Sequence, residues 1–116
     1  IPNKIGLSEN IEVKSVVDKY LEHSRVYIFN NSGDPKVFIS SADFMTRNIE
    51  KRVEVACPIY QEDLKKQILD TLKISDSDNV KTRLINHKTQ NKFVNNSKKI
   101  VRSQWDTYSY FKKILD

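Results

Sequence analysis

Residues 25–39 read Arg25-Val-Tyr-Ile-Phe29, then Asn30-Asn-Ser-Gly-Asp-Pro35, then Lys36-Val-Phe-Ile39. β-Branched and aromatic residues dominate the two outer runs, and the residues between them are turn formers. The pattern predicts a β-hairpin. Antiparallel pairing across so short a turn sets the start of the first strand beside the end of the second. His23-Ser24-Arg25 and Ser40-Ser41-Ala42-Asp43 are therefore expected to meet at one end of a sheet.

Outward from the hairpin the periodicity changes. Val13, Val16, Val17, Tyr20 and Leu21 recur at helical spacing, with Ser8 followed by Ile11 and Glu12 as an N-cap region, which predicts a helix over 10–22. After a short segment closed by Asn48, Arg52-Val-Glu-Val-Ala-Cys-Pro-Ile59 reads as a third strand, with Pro58 near its end because proline cannot donate to a ladder. Residues 61–73 are helical again, with Leu64, Ile68, Leu69 and Leu72 on one side and Glu62, Asp63, Lys65 and Lys66 mostly on the other. The acidic residues lead and the lysines follow, as the helix dipole favours. A loop at 75–79, a strand at 80–85, a brief pairing at Phe93-Val94 and a last helix from about Ile100 complete the pattern. Val101, Trp105, Tyr108 and Leu115 share a face of that helix and are expected in a core. The fold class that results is α/β, a mixed sheet with flanking helices, in one domain spanning 1–116.

The chain has 116 residues, 38% hydrophobic and 30% charged, with two glycines and three prolines, a composition that folds rather than one that stays disordered. A single modest core is expected at this length. The chain starts at Ile1 rather than Met, as a piece of a longer or processed polypeptide would, and neighbouring domains are expected. No apolar run approaches the roughly 18 residues needed to cross a bilayer, and no secretion signal opens the chain. A cytoplasmic location, with or without membrane association, is the corresponding expectation. One cysteine, Cys57, and two histidines cannot build a Cys/His metal cage. Cys57 lies in an apolar run and is expected to be a small buried hydrophobe. Charge is uneven: residues 1–79 carry 11 basic and 13 acidic side chains, whereas residues 80–116 carry 9 and 2. The basic C-terminal third suits a polyanionic partner.

Common nucleotide and hydrolase fingerprints, among them Gly-rich phosphate loops, G-x-S-x-G and H-E-x-x-H, are absent. The hairpin ends are more informative. They would gather an imidazole (His23), a guanidinium (Arg25), two hydroxyls (Ser40, Ser41) and a carboxylate (Asp43), with Arg47 and Arg52 just beyond. Guanidinium forks match phosphate oxygens, hydroxyls donate to others, and imidazole can attack phosphorus or shuttle a proton near neutral pH. Glu54 shares the face of Arg52 and can pair with it or orient His23. His87, in a polar loop without an evident partner, is assigned no role.

These residues carry a resemblance. Ser15-Val-Val-Asp-Lys-Tyr-Leu-Glu-His-Ser-Arg25, Lys36-Val-Phe-Ile-Ser-Ser-Ala-Asp-Phe-Met-Thr-Arg-Asn48, Arg52-Val-Glu-Val-Ala-Cys-Pro58, Asp78-Asn-Val-Lys-Thr-Arg83 and Arg102-Ser-Gln104 together resemble the last domain of the bacterial polyphosphate kinase family. The blocks span nearly the whole chain. The resemblance implies a phospholipase D-like half. Arg25 stands where that superfamily's H-x-K motif has lysine, and Ser40-Ser41-Ala42-Asp43 stands in place of G-S-x-N, departures that weigh against phosphodiester hydrolysis.

The same resemblance implies reversible transfer of the terminal phosphate of ATP to inorganic polyphosphate through a phosphohistidine in a preceding domain. His23 matches the family's second histidine, which contacts nucleotide phosphates and assists transfer. Arg47 and Arg52 match basic positions of the family and are the phosphate contacts it implies. Arg25, Ser40, Ser41 and Asp43, from the reading of the hairpin ends, complete the expected ATP and phosphate set, and the resemblance implies Mg2+ with the nucleotide on ligands outside this chain. A homo-oligomeric full-length enzyme with no specific nucleic-acid partner is implied. Two other readings compete: a non-catalytic basic module binding nucleic acid or phosphate polymer through Lys98, Lys99 and Arg102, and a nuclease half-site.

Overall fold

The computed structural model describes residues 1–88, 90–96 and 99–116. The elements in chain order are β1 (Val13–Val16), β2 (Val26–Phe29), β3 (Lys36–Ser40), α1 (Thr46–Glu50), β4 (Ala56–Ile59), α2 (Glu62–Asp76), β5 (Thr82–Ile85), β6 (Lys92–Phe93) and α3 (Ser103–Leu115). The α/β class with helices holds, and the strands divide into two antiparallel three-stranded sheets, ordered β2-β3-β4 and β1-β5-β6. The chain forms two compact units, one of residues 22–69 and the other of residues 1–21 with 70–116.

In the unit of residues 22–69, β2 and β3 form the expected hairpin, with Val26 opposite Ile39 and Phe29 opposite Lys36. Its turn passes through Asn31, Ser32 and Gly33, all at positive φ (45°, 56° and 94°). Asparagine tolerates this left-handed region and glycine adopts it without a Cβ clash. The Asn31 side-chain amide donates to the Asp34 carbonyl at 3.1 Å and closes the loop. Strand β4 adds to the other side of β3, with Val37 opposite Ile59 and Ser40 opposite Ala56. Pro58 sits in this edge strand, where its missing N–H costs no ladder bond.

The third strand is shorter than expected because residues 52–55 lie outside the regular ladder. The Ser41 N–H donates to the Val55 carbonyl at 3.0 Å. The Val55 N–H is taken at 3.1 Å by the Ser41 side-chain hydroxyl rather than by backbone. Val53 is 98% exposed. Cys57, expected to be buried, is exposed on the edge strand.

In the second unit the expected helix over 10–22 is absent. Val13–Val16 is instead strand β1, paired with β5 from Val13↔Ile85 to Val16↔Thr82. Helical spacing of valines was outweighed by their β-branching and by an available partner strand, whose ladder satisfies the backbone as well as a helix would. Ser8 organises a turn rather than capping that helix: its hydroxyl accepts from the Lys4 N–H at 3.0 Å.

Helix α2 runs three residues past the expected end, to Asp76. Its faces also differ from expectation. Lys65 is only 8% exposed whereas Leu64 is 41% exposed. The lysine is held by Glu62 at 2.7 Å and faces Asp34 at 3.7 Å. The face of α3 expected in a core is open: Trp105, Tyr108 and Leu115 are all exposed. Among the described residues Val37 is the only buried apolar side chain, so the modest apolar core expected from chain length does not form.

Polar anchoring takes its place. Asp78, 1% exposed, accepts from the N–H groups of Val80, Lys81 and Thr82 at 2.9, 2.7 and 3.1 Å through Oδ1, and from Ser103 N–H at 2.7 Å through Oδ2. One carboxylate thus fixes the entry to β5 and the first turn of α3. Burial by itself would push the Asp78 carboxyl up, but the backbone donors outweigh it and hold its pKa below the ordinary value. Asn79 supports the same corner, accepting from Val101 N–H at 2.9 Å and donating to the Lys99 carbonyl at 3.0 Å.

Replacing Asp78 by alanine leaves four backbone donors unmet and is expected to lower the unfolding free energy by about 3 kcal/mol, measured by urea denaturation at neutral pH. A folded-state pKa below the unfolded one contributes stability above the unfolded value and loses it as pH falls through the folded one. The gap between wild type and Asp78→Ala therefore narrows in acid.

Candidate functional site

Register decides the site. With Val26 opposite Ile39, the next pair outward is Arg25 and Ser40, and the Ser40 N–H donates to the Arg25 carbonyl at 2.9 Å. The chain beyond Ser40 then brings Asp43 back over Arg25. The guanidinium grips this carboxylate with two bonds, Nε to Oδ1 at 2.5 Å and Nη2 to Oδ2 at 2.8 Å. Nη2 also lies 2.7 Å from Nε2 of His23, and Nη1 lies 3.5 Å from Nδ1. His23, Arg25 and Asp43 thus form one cluster, as the hairpin predicts.

The electrostatics are reciprocal. The Arg25 bond holds the Asp43 carboxyl below its ordinary pKa, with burial opposing and the charges of Arg25 and Arg47 adding to the lowering. Asp43 in turn raises Arg25. Arg47, exposed on α1, therefore belongs to the field of this cluster without touching it.

The two hydroxyls are also drawn in, but their protons face the protein. Ser40 Oγ donates to the Val55 carbonyl at 3.1 Å and accepts from Ala42 N–H at 3.0 Å. Ser41 Oγ donates to the Glu54 carboxylate. Glu54 thus holds Ser41 rather than Arg52 or His23. Two further contacts shape the loop: the Tyr27 hydroxyl donates to the Ala42 carbonyl at 3.0 Å, and the Asn48 amide reaches the Asp43 carbonyl at 3.4 Å. Arg52 is exposed and makes no hydrogen bond or ion pair among the described residues. Asp43 has both oxygens on Arg25, and no group of three or more His, Cys, Asp or Glu side chains converges among the described residues. Asp43 is the one carboxylate of this cluster, and with both oxygens on Arg25 it is not placed to hold a magnesium ion. No helix is long and apolar enough to cross a membrane among the described residues.

Sequence reasoning missed contacts in the other unit. Asp18, its side chain 2% exposed, receives Arg102 through Nε at 2.8 Å and Nη2 at 2.6 Å. The Arg102 guanidinium also lies 4.2 Å from the Trp105 ring centre. Gln104 clamps the Tyr20 backbone from both sides, accepting its N–H at 3.0 Å and donating to its carbonyl at 2.8 Å. The positions lie 84 residues apart, so only the occurrence of both segments in the quoted blocks could have signalled them. His87 donates Nδ1–H to the Asn3 carbonyl at 2.9 Å, a structural contact. Arg102 is engaged internally, and Lys98 lies outside the described residues.

This is an α/β protein carrying a histidine–arginine–carboxylate cluster at the open end of an antiparallel sheet. The family described as polyphosphate kinase C-terminal domain 2 matches residues 1–104, and the chain belongs to that family. It is 50% identical over 115 residues to the polyphosphate kinases of Klebsiella pneumoniae and of Escherichia coli K12, covering 98% of this chain and 17% of each relative. A crystal structure of polyphosphate kinase from Porphyromonas gingivalis superposes on 92% of this chain and 17% of that one, with a TM-score of 0.89 and 45% identity. The chain therefore spans about one sixth of the length of the enzymes it matches.

The Asp43–Arg25 pair makes a direct prediction. In carbon-13 NMR titration Asp43 is expected to lose its proton at a lower pH than an ordinary aspartate, and Arg25→Ala is expected to return it to the ordinary range. An unchanged midpoint in the variant would show that the ion pair does not form.

Proposed function

We propose that residues 1–116 are a C-terminal catalytic-domain piece, a phospholipase D-like half, of a polyphosphate kinase that moves the terminal phosphate of ATP to inorganic polyphosphate and back. The observation that carries this reading is the gathering of His23 with Arg25 and Asp43, with the exposed Arg47 in the field of that cluster. Identity of 50% to polyphosphate kinases over 115 residues supports it.

In this reading a histidine nitrogen of the preceding domain attacks the γ-phosphorus of ATP. An N–P bond forms as the bond to the β,γ-bridging oxygen breaks, and ADP leaves. A terminal oxygen of polyphosphate then attacks the same phosphorus, forming a new P–O–P link and freeing the histidine. His23 contacts the nucleotide phosphates and stabilises or protonates the departing oxygen. Arg47 and Arg52 neutralise the phosphate oxygens, since phosphoryl transfer relies mostly on positioning and charge stabilisation. Ser40 and Ser41 hold the loop that carries Asp43. Magnesium travels with the nucleotide on ligands outside this chain. The full enzyme is a homo-oligomer acting on ATP and polyphosphate.

The complete enzyme with His23→Ala is expected to lose polyphosphate synthesis by about two orders of magnitude or more. Arg47→Ala and Arg52→Ala are expected to weaken it about tenfold or more, and neutralising Lys99 far less. Normal synthesis by His23→Ala, or a larger loss on neutralising Lys99, would favour a basic binding module instead. The purified 116-residue chain is expected to make no polyphosphate, because it carries one part of the site.

A further inference from the structure

The contact between Arg25 and His23 constrains which ring nitrogen can do chemistry. A guanidinium carries N–H donors and no acceptor. At 2.7 Å from Nη2, Nε2 of His23 must be the accepting nitrogen. The proton of the neutral imidazole then resides on Nδ1. The other approach, Nη1 to Nδ1 at 3.5 Å, is at the outer limit of a hydrogen bond and does not compete. Arg25 is itself not free to move, because Asp43 takes its Nε and Nη2.

We propose that Arg25 is a positioning residue: anchored on Asp43, it caps Nε2 of His23 and leaves Nδ1–H as the ring proton that can be directed at a phosphate oxygen. Its phosphate target rests on the functional reading above. The arrangement parallels other sites in which a second group fixes the tautomer and orientation of a working imidazole. A lysine at position 25 could offer the ring a proton or hold Asp43 at one point, but lacks the planar fork that does both in fixed geometry. While Nε2 is capped, the ring cannot attack phosphorus through that nitrogen, and giving up Nδ1–H would leave an imidazolate. His23 therefore acts as a hydrogen-bond donor that stabilises the phosphate oxygen, neither as the nucleophile nor as the acid that transfers the proton.

The test uses the complete enzyme labelled with nitrogen-15 histidine, with the His23 signals identified by their loss in His23→Gln. In the neutral ring, Nε2 is expected to show the shift of an unprotonated nitrogen and Nδ1 that of a protonated one. Arg25→Ala is expected to move the proton to Nε2, and Asp43→Asn to do so in part. Wild-type Nε2 carrying the proton, or a tautomer indifferent to both Arg25→Ala and Arg25→Lys, would overturn the proposal. Kinetics supply the second readout. Arg25→Ala is expected to lower kcat about tenfold or more. The double variant with His23→Ala should be no slower than His23→Ala alone, because one residue acts through the other. Losses that multiply would mean that Arg25 meets substrate independently. Should His23→Ala retain full synthesis while the tautomer follows Arg25, the kinase role of this imidazole falls and the positioning geometry stands.

Discussion

Backbone pairing between β2 and β3 is the constraint on which the candidate site depends. Once Val26 faces Ile39, Arg25 must face Ser40, and a short return of the chain is enough to lay Asp43 along the guanidinium. The bidentate pair then joins two segments that the ladder has already brought together, so little further ordering entropy is needed to form it. A slip of one residue in this register would turn Arg25 to the other face of the sheet and disperse the cluster.

The other unit depends on a single carboxylate in a comparable way. Asp78 meets backbone donors at the start of β5 and at the first turn of α3, while Arg102 and Gln104, on that same turn, reach Asp18 and the Tyr20 backbone. In each unit a carboxylate joins separate segments, Asp43 through two N–H groups of Arg25 and Asp78 through four backbone N–H groups. Asp78 tolerates burial only while every partner is in place, which gives its corner a definite geometry.

The uneven charge of the chain also changes meaning in three dimensions. Arg102 belongs to the basic third by sequence, yet its charge is matched by buried Asp18 and shared with the Trp105 ring. Arg83 lies over Phe93, 4.3 Å from the ring centre. Arg47 and Arg52, both exposed, come instead from the part of the chain with a net acidic balance, and Arg47 lies in the field of the hairpin-end cluster. Local geometry, and not regional net charge, decides which cations are paired inside the chain and which are left exposed.

The hairpin, the long helix α2, strand β5 and helix α3 were legible in the residues, because turn formers, β-branched runs and amphipathic spacing act over a few positions. So were the meeting of His23, Arg25 and Asp43 and the family blocks. The valines of β1 were not, since their spacing fits a helix and only the partner strand β5, some seventy residues away, makes the extended form the better one. Exposure of Cys57, Trp105 and Tyr108 and burial of Lys65 escaped for the same reason: burial is decided by what packs against a side chain, not by its hydrophobicity. Sequence by itself determined the β2–β3 hairpin and which groups would share its open end, because those follow from short-range stereochemistry. Tertiary structure alone decided that Arg25 holds Asp43 and His23 together, because hydrogen-bond partners depend on distances of a few tenths of an ångström that no spacing encodes.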